Sequence, residues 1–411
     1  MEDLSILKPL YGPYFLAKTK SGNKVKVPRT VSGEKWKGIL LKENTYLPTE
    51  WERLNFYLRR VPSCGYYPFC SGCQWQHIRF EVQIKFKKAL FKEYLGFEPD
   101  KVLISPSEWG YRIKTFLYLK DGKLGFKKAW FYDLQQPVLN IDHCPLLHSS
   151  LNKAIFLLKR AKLPDSLYAV ELLANPQNGE VFAKLLFYKR NFPAEEVVNS
   201  LVENLKPAFA GIGIYKGEYL HWERIKIAGR WNSSIRIGLY NFLISPDAFI
   251  QPNYFLWKEF INIVRPLKNY RVGLELYSGI GFFTLHLSKF VETLYSSELS
   301  REATLLRKEN LKRNGIKNVK VLQKDAYKHL KNFEGAELLV VDPPRGGLTK
   351  PLIDEILRKK PKEIIYISCN LESLRRDLEI LKEEYKIVKS ALVDQFPNTY
   401  HIESVIWLLK R

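Results

Sequence analysis

The chain has 411 residues, 46% of them hydrophobic and 26% charged, too many for one ordinary core, so two or three domains are predicted. No apolar run nears the ~20 residues of a membrane span, no low-complexity tract occurs, and MEDLSILKPLYG carries acids where a secretory leader carries bases, so membrane and secreted classes are set aside and a cytoplasmic protein is expected. Lys and Arg outnumber Asp and Glu by 65 to 43, a formal net charge of +22, and residues 1–130 alone hold 24 basic and 12 acidic side chains. A Lys-rich thermophile surface with its single Met would give a similar excess. An anionic membrane would call for a long basic amphipathic helix, and none stands out. Nucleic acid is therefore the expected partner, with no membrane and no obligate protein partner evident.

In chain order, residues 1–60 alternate β-rich stretches (YFLAKTK, NKVKVPR, KGILLK) with the turn residues Ser21-Gly22-Asn23 and Ser32-Gly33. This predicts a small β-barrel, OB-like in texture. Residues 61–240 are read as a mixed central domain. It opens on three cysteines within ten residues, Cys64, Cys70 and Cys73, to which the distant Cys144-Pro145 adds a fourth. Five cysteines so unevenly spaced do not make a secreted disulfide framework. Three plus one followed by proline resembles iron–sulfur ligation, with a structural zinc as the alternative. Tyr66, Tyr67, Phe69 and Trp75 are placed to shield such a group or to stack on bases. A helix with a basic face is predicted over Phe80–Leu95, ending at Gly96, and it is a candidate to pack on the catalytic domain. Beyond it, hairpin signals stand at Asp121-Gly122 and Asn175–Gly179.

From 241 to 411 the texture changes to apolar strands alternating with charged helices, the pattern of an α/β parallel sheet with crossovers. The predicted strands are RVGLEL, ETLYSSEL, VKVLQ, AELLVVD and EIIYISC. The helices are FFTLHLSKF, REATLLRKENLKRN and LESLRRDLEIL, and YKIVKSALVDQ with ESVIWLLK form a closing antiparallel pair. Ligands of such sheets bind at the carboxyl ends of the strands. There the first strand runs into Tyr277-Ser278-Gly279-Ile280-Gly281, half of a dinucleotide fingerprint, with Thr284 where the third glycine would stand. Glu298 ends the second strand, where a carboxylate can accept bonds from ribose hydroxyls, and Asp325 follows the third, placed to meet an adenine edge. Together they predict an adenosine-containing cofactor. The fourth strand ends in Asp342-Pro343-Pro344-Arg345, a rigid loop with an acidic side chain at the sheet edge, which favours a methyl donor over a nicotinamide.

The fifth strand ends in Ser368-Cys369-Asn370. A lone cysteine on an apolar strand is ordinarily an inert core residue, but this one sits at the ligand-binding edge beside the Asp342 loop. A thiolate there can add to carbon 6 of a uracil, making carbon 5 nucleophilic towards a methyl group. Glu403, at the start of the last strand with His401 near it, is the candidate to remove the carbon-5 proton.

These motifs, in this order, resemble the RNA uridine C5-methyltransferase family, in particular its iron–sulfur branch that modifies 23S ribosomal RNA; related enzymes act on uridine 54 of the transfer-RNA T-loop. The resemblance is strongest from Ser245 to Val405. It implies a Rossmann-like S-adenosylmethionine-dependent domain, a central [4Fe–4S] domain held by Cys64, Cys70, Cys73 and Cys144, and an N-terminal RNA-binding barrel. It further implies that Gln251 of SPDAFIQPN, Tyr277, Gly279, Glu298, Asp325 and Asp342 serve S-adenosylmethionine, with Cys369 as nucleophile and Glu403 as proton acceptor. Phe282 stands where relatives often have Asn, and Tyr277-Ser278 replaces the commoner Phe-Cys. Two other functions fit parts of the chain: an iron–sulfur oxidoreductase with a nucleotide cofactor, and an iron–sulfur RNA-binding protein without catalysis.

Overall fold

The computed structural model describes residues 1–129, 138–218 and 221–411. They form two compact units, one of Met1–Leu90, Ser107–Trp231 and Phe396–His401, the other of Phe91–Pro106, Asn232–Gln395 and Ile402–Arg411. Among the described residues no helix is long and apolar enough to cross a membrane.

The first unit begins with β1 (Glu2–Pro9), β2 (Tyr14–Thr19), β3 (Lys24–Pro28), β4 (Lys35–Lys42) and β5 (Thr45–Arg53), a closed barrel in the order β1-β2-β3-β5-β4. Alternation fills it: Leu4, Ile6, Phe15, Ala17, Val25 and Val27 point inward and are buried. Gly38 lets β4 cross close to its neighbours, since a Cβ there would lie 2.5 Å from Leu4. Helix α1 (Phe80–Leu95) has the predicted bounds and stops where Gly96 takes φ +85° and its N–H bonds the Lys92 carbonyl. The short β6 (Lys101–Leu103) then belongs to the second unit.

Seven strands make the main sheet of the first unit: β7 (Lys114–Lys120), β8 (Lys123–Lys127), β9 (Val138–Asn140), β10 (Leu167–Ala174), β11 (Val181–Tyr188), β12 (Gly211–Glu218) and β13 (His221–Gly229), in the order β13-β12-β11-β10-β7-β8-β9. Asp121 and Gly122 both take positive φ, the tight turn their pairing predicts. Helices α2 (Ser149–Arg160) and α3 (Glu195–Leu205) cover one face, where Leu151, Ile155 and Leu158, with Val198, Leu201 and Leu205, join Leu117, Leu172, Leu185 and Ile214 in one core.

The second unit adds a hairpin, β14 (Ser233–Ile237) with β15 (Tyr240–Ile244), then α4 (Trp257–Ile263) and an alternation of strand and helix. Its members are β16 (Tyr270–Leu276), α5 (Thr284–Leu287), β17 (Val291–Glu298), α6 (Arg301–Arg313), β18 (Val319–Gln323), α7 (Ala326–Lys331), β19 (Leu338–Val341), α8 (Lys350–Lys359), β20 (Glu363–Ser368), α9 (Leu371–Leu381), β21 (Tyr385–Val393) and β22 (Glu403–Lys410). The eight-stranded sheet runs β18-β17-β16-β19-β20-β22-β21-β6. All pairings are parallel except those of β22, antiparallel to both neighbours. This is the Rossmann-like sheet expected, with strand order reversing between β16 and β19. Every residue of β19 and β20 is buried, as central parallel strands covered on both faces require.

Candidate active site and cysteine cavity

At the carboxyl edge of the second unit's sheet, the turn after β16 is built from unusual backbone. Tyr277, Gly279 and Gly281 all take positive φ, at 61°, 51° and 90°. Glycine adopts this region freely, whereas an aromatic residue is held there only by its surroundings. Those surroundings come from α6 and β17. Buried Arg307 donates to the Ser278 hydroxyl, to the Gly279 carbonyl at 3.1 Å and to the Leu322 carbonyl at 3.2 Å. Buried Asn310 donates to the Ile280 carbonyl at 3.0 Å and accepts from the Leu243 N–H at 2.6 Å. Glu298 accepts from the Gly279 and Ser300 N–H groups at 3.0 and 2.8 Å, so the proposed ribose ligand is oriented by the turn itself. Burial lowers the Arg307 guanidinium to about 10, against the pull of Glu275 and Glu298. Burial also raises the Glu275 carboxyl to about 8, although the Thr284 hydroxyl donates to it.

Asp325 ends the neighbouring strand connection as the N-cap of α7, accepting from the Lys328 N–H at 3.1 Å. Gln251 is buried, and its carbonyl accepts from the Trp257 indole at 2.8 Å. Its neighbour Asn253 donates to the Ser105 hydroxyl at 2.9 Å.

The thiol lies two strands from the glycine turn. Ser368 of β20 pairs with Ser404 of β22, and the strands are antiparallel, so one step beyond that pair Cys369 faces Glu403. Asp342 follows β19, the parallel neighbour of β20. The three groups feel one another. Burial, then the Glu403 and Asp342 charges, push the Cys369 thiol up to about 12, with Arg345 opposing them. Burial raises Asp342 to about 7, and burial together with Asp342 raises Glu403 well above the ordinary carboxylate range.

Helix α9 fixes this cluster. Asn370 caps it by accepting from the Glu372 N–H at 3.0 Å and donates to the Arg345 carbonyl at 2.9 Å, joining the Cys369 and Asp342 loops. Buried Asp377 accepts from the Leu348 N–H at 2.8 Å and the Tyr366 hydroxyl at 2.5 Å. Arg376 donates to the Gly346 and Leu348 carbonyls. Gly347, at φ +77°, is packed so closely that a Cβ would lie 2.5 Å from the Asp377 carboxylate.

The sequence reading passed over Arg307, Asn310 and Asp377. The signal for the first two was a polar residue on the inward stripe of α6, where Ala303, Thr304, Arg307, Asn310 and Leu311 are buried. It also passed over Gln395, just past β21, which is fully buried and whose amide N and O have no hydrogen-bond partner among the described residues. Such a group is rare in a folded protein unless water or a ligand completes it.

In the first unit, Cys64, Cys70, Cys73 and Cys144 line one cavity of about 290 Å³ with Tyr66 and Tyr67. Burial pushes Cys144 up to about 12 and Cys73 higher, and nearby thiols reinforce both shifts. Arg29 lies 4.3 Å over the Tyr67 ring and donates to the Cys70 carbonyl. Among the described residues no three His, Cys, Asp or Glu side chains converge closely enough to hold a single metal ion. A four-iron cluster spreads its thiolates over a wider cage, and four thiols around one cavity are compatible with that.

Residues 79–411 match the profile of a family described as tRNA (Uracil-5-)-methyltransferase. The chain is 34% identical over 370 residues to an uncharacterized RNA methyltransferase of Aquifex aeolicus, covering 85% of this chain and 84% of that one. It is 30% identical to the 23S rRNA (uracil(747)-C(5))-methyltransferase of Pyrococcus abyssi, covering 86% and 87%. Its fold is similar to the crystal structure of the Pyrococcus abyssi tRNA (uracil-54, C5)-methyltransferase in complex with S-adenosyl-L-homocysteine, with a TM-score of 0.76 and 23% identity over 99% of this chain and 100% of that one.

Proposed function

The chain belongs to the tRNA (uracil-5-)-methyltransferase family and is an S-adenosylmethionine-dependent RNA (uracil-C5)-methyltransferase; from that we propose that it methylates carbon 5 of a uridine in 23S ribosomal RNA through a covalent bond to Cys369. The observation that carries this reading is the thiol set opposite a 4% exposed carboxylate and beside a second one, at the ligand-binding edge of the sheet.

In this reading the target uridine is flipped out of its RNA into the pocket. Cys369 Sγ gives up its proton to solvent water and bonds to carbon 6, and the electron pair of the 5,6 double bond moves onto the enolate of the ring. S-adenosylmethionine, when bound, supplies the electrophilic methyl group that carbon 5 takes up. Glu403 then takes the proton from carbon 5, the double bond re-forms and Sγ leaves as the thiolate. Asp342 and Gln251 orient base and methyl donor. Tyr277, Gly279, Glu298 and Asp325 hold the donor, with Arg307 and Asn310 keeping the glycine turn in its strained shape. Cys64, Cys70, Cys73 and Cys144 are assigned to a [4Fe–4S] cluster that anchors their loops or positions RNA. With all four cysteines as ligands, such a cluster would offer no open iron for chemistry and would serve structure or RNA positioning.

RNA carrying 5-fluorouridine at the target tests the nucleophile, because fluorine cannot leave as a proton. Wild type with S-adenosylmethionine should give a complex that survives a denaturing gel, and Cys369→Ala none. An adduct with Cys369→Ala, or none with wild type, sinks the assignment. Labelled methyl from the same enzyme should enter ribosomal RNA. Label confined to transfer RNA would move the target to the T-loop, and RNA binding indifferent to both methyl donor and Cys369→Ser would leave a protein without catalysis.

A further inference from the structure

The seven-stranded sheet has a second face, opposite α2 and α3, where a small buried patch of Ala169, Leu186 and Tyr215 is ringed by partly buried aromatic residues. Along β7 the inward residues Thr115 and Leu117 are buried, while Lys114, Phe116 and Tyr118 alternate with them on the other face. Pairing carries that face across the sheet: Tyr118 sits opposite Ala169, Phe116 opposite Glu171, Glu171 opposite Lys184 and Leu186 beside Tyr215. The β10 irregularity between Leu167 and Ala169 adds Tyr168 to it. Tyr168 is the hub, with ring centroids 5.7 Å from Tyr118, 4.7 Å from Tyr188 and 5.7 Å from Trp222, the last stacked nearly parallel at 11°.

These rings are half-buried, so each keeps part of its surface towards solvent. The charges among them are mostly cationic. Lys127 lies 4.5 Å over Tyr118 and Lys184 4.6 Å over Tyr215, while Glu171 is paired with both Lys184 and Lys114. Glycine flattens the face: a Cβ on Gly213 would collide with Tyr215 and Trp231 at 2.7 and 2.5 Å. Phe116, Tyr118 and Lys127 also line the cysteine cavity, so the face begins at its rim.

We propose that this sheet face is a stacking platform for single-stranded RNA, its bases lying on Tyr168, Tyr118 and Trp222 and its phosphates met by the exposed Lys127. The inference rests on the reading of the chain as an RNA methyltransferase and names where an unpaired stretch of that RNA binds. Aromatic faces interleaved with lysines bind unpaired bases because every base has a π-face and every phosphate a charge. Around the buried Ala169, Leu186 and Tyr215, the rings of Tyr118, Tyr168 and Trp222 stay half-buried beside the exposed Lys127.

The test is fluorescence anisotropy of the full-length protein with a labelled single-stranded 12-nucleotide RNA, without methyl donor. Tyr168→Ala should weaken binding about fivefold or more, while Tyr168→Phe, which keeps the ring and loses the hydroxyl, should bind as wild type does. Lys127→Gln should flatten the dependence on salt. Should Tyr168→Ala unfold, Tyr168→Leu keeps the apolar volume without a stacking face and replaces it. Wild-type affinity in a folded Ala or Leu variant overturns the platform. So does a loss in Tyr168→Phe equal to that in Tyr168→Ala. If Tyr168→Ala loses this binding and wild type transfers no methyl to ribosomal RNA, the platform stands and the ribosomal target fails. Normal methylation by variants that bind RNA normally fails the platform alone.

Discussion

Cys369, the proposed nucleophile, lies in an unfavourable electrostatic setting. Burial and then two carboxylates hold its proton on, so the resting enzyme keeps a thiol, and the thiolate forms as pH rises. Removing one negative charge should lower that barrier. In Glu403→Gln, alkylation of Cys369 by iodoacetamide at pH 8, read from its own peptide by mass spectrometry, should run up to about tenfold faster than in wild type. The midpoint of its pH profile should move down. An unchanged or upward midpoint would mean that Glu403 does not face the thiol. That Cys369 and Glu403 meet at one sheet edge was legible, because the first follows a strand and the second opens one, each in a polar motif that a core would not carry. Gln395 was not: its buried, unpartnered amide follows from packing around the end of β21, which no local pattern reports.

At the scale of elements, periodicity was a good guide wherever one strand or helix met a continuous apolar stripe. β18, α9 and α1 have the predicted bounds, and α6 stops one residue short. FFTLHLSKF gives only the four-residue helix α5, followed by a tight turn over Ser288–Phe290. The helix α8 and the three-residue β6 went unread, the latter because so short a strand is defined only by its partner β21, nearly 300 residues away in sequence. The glycine turn is the element with the least freedom. A methyl group at Gly281 would sit 3.0 Å from Arg307 and 3.1 Å from Leu285 at φ +90°. Gly281→Ala should therefore cost about 1–3 kcal/mol in denaturant unfolding and raise the Kd for S-adenosylmethionine. Wild-type values for both would show that the turn is not under constraint.

Over the whole molecule, the four cysteines come from two stretches separated by more than 70 residues and still line one cavity. Protein purified without oxygen should carry close to four irons and a broad visible absorption. Cys73→Ser should lose both and melt at a lower temperature, since metal affinity adds to folding stability. A Cys73→Ser variant with full iron content would remove that residue from the ligand set. Alternating strands and helices, the order of the motifs at their ends and the count of cysteines are properties of the chain itself, because side-chain periods of 2 and 3.6 and the chemistry of single residues are local. Which polar residues brace the glycine turn, which thiols share a cavity and which aromatic residues share a sheet face depend on pairings between distant segments. Strand register and packing in the tertiary structure decide those, since contacts across hundreds of residues leave no period along the sequence.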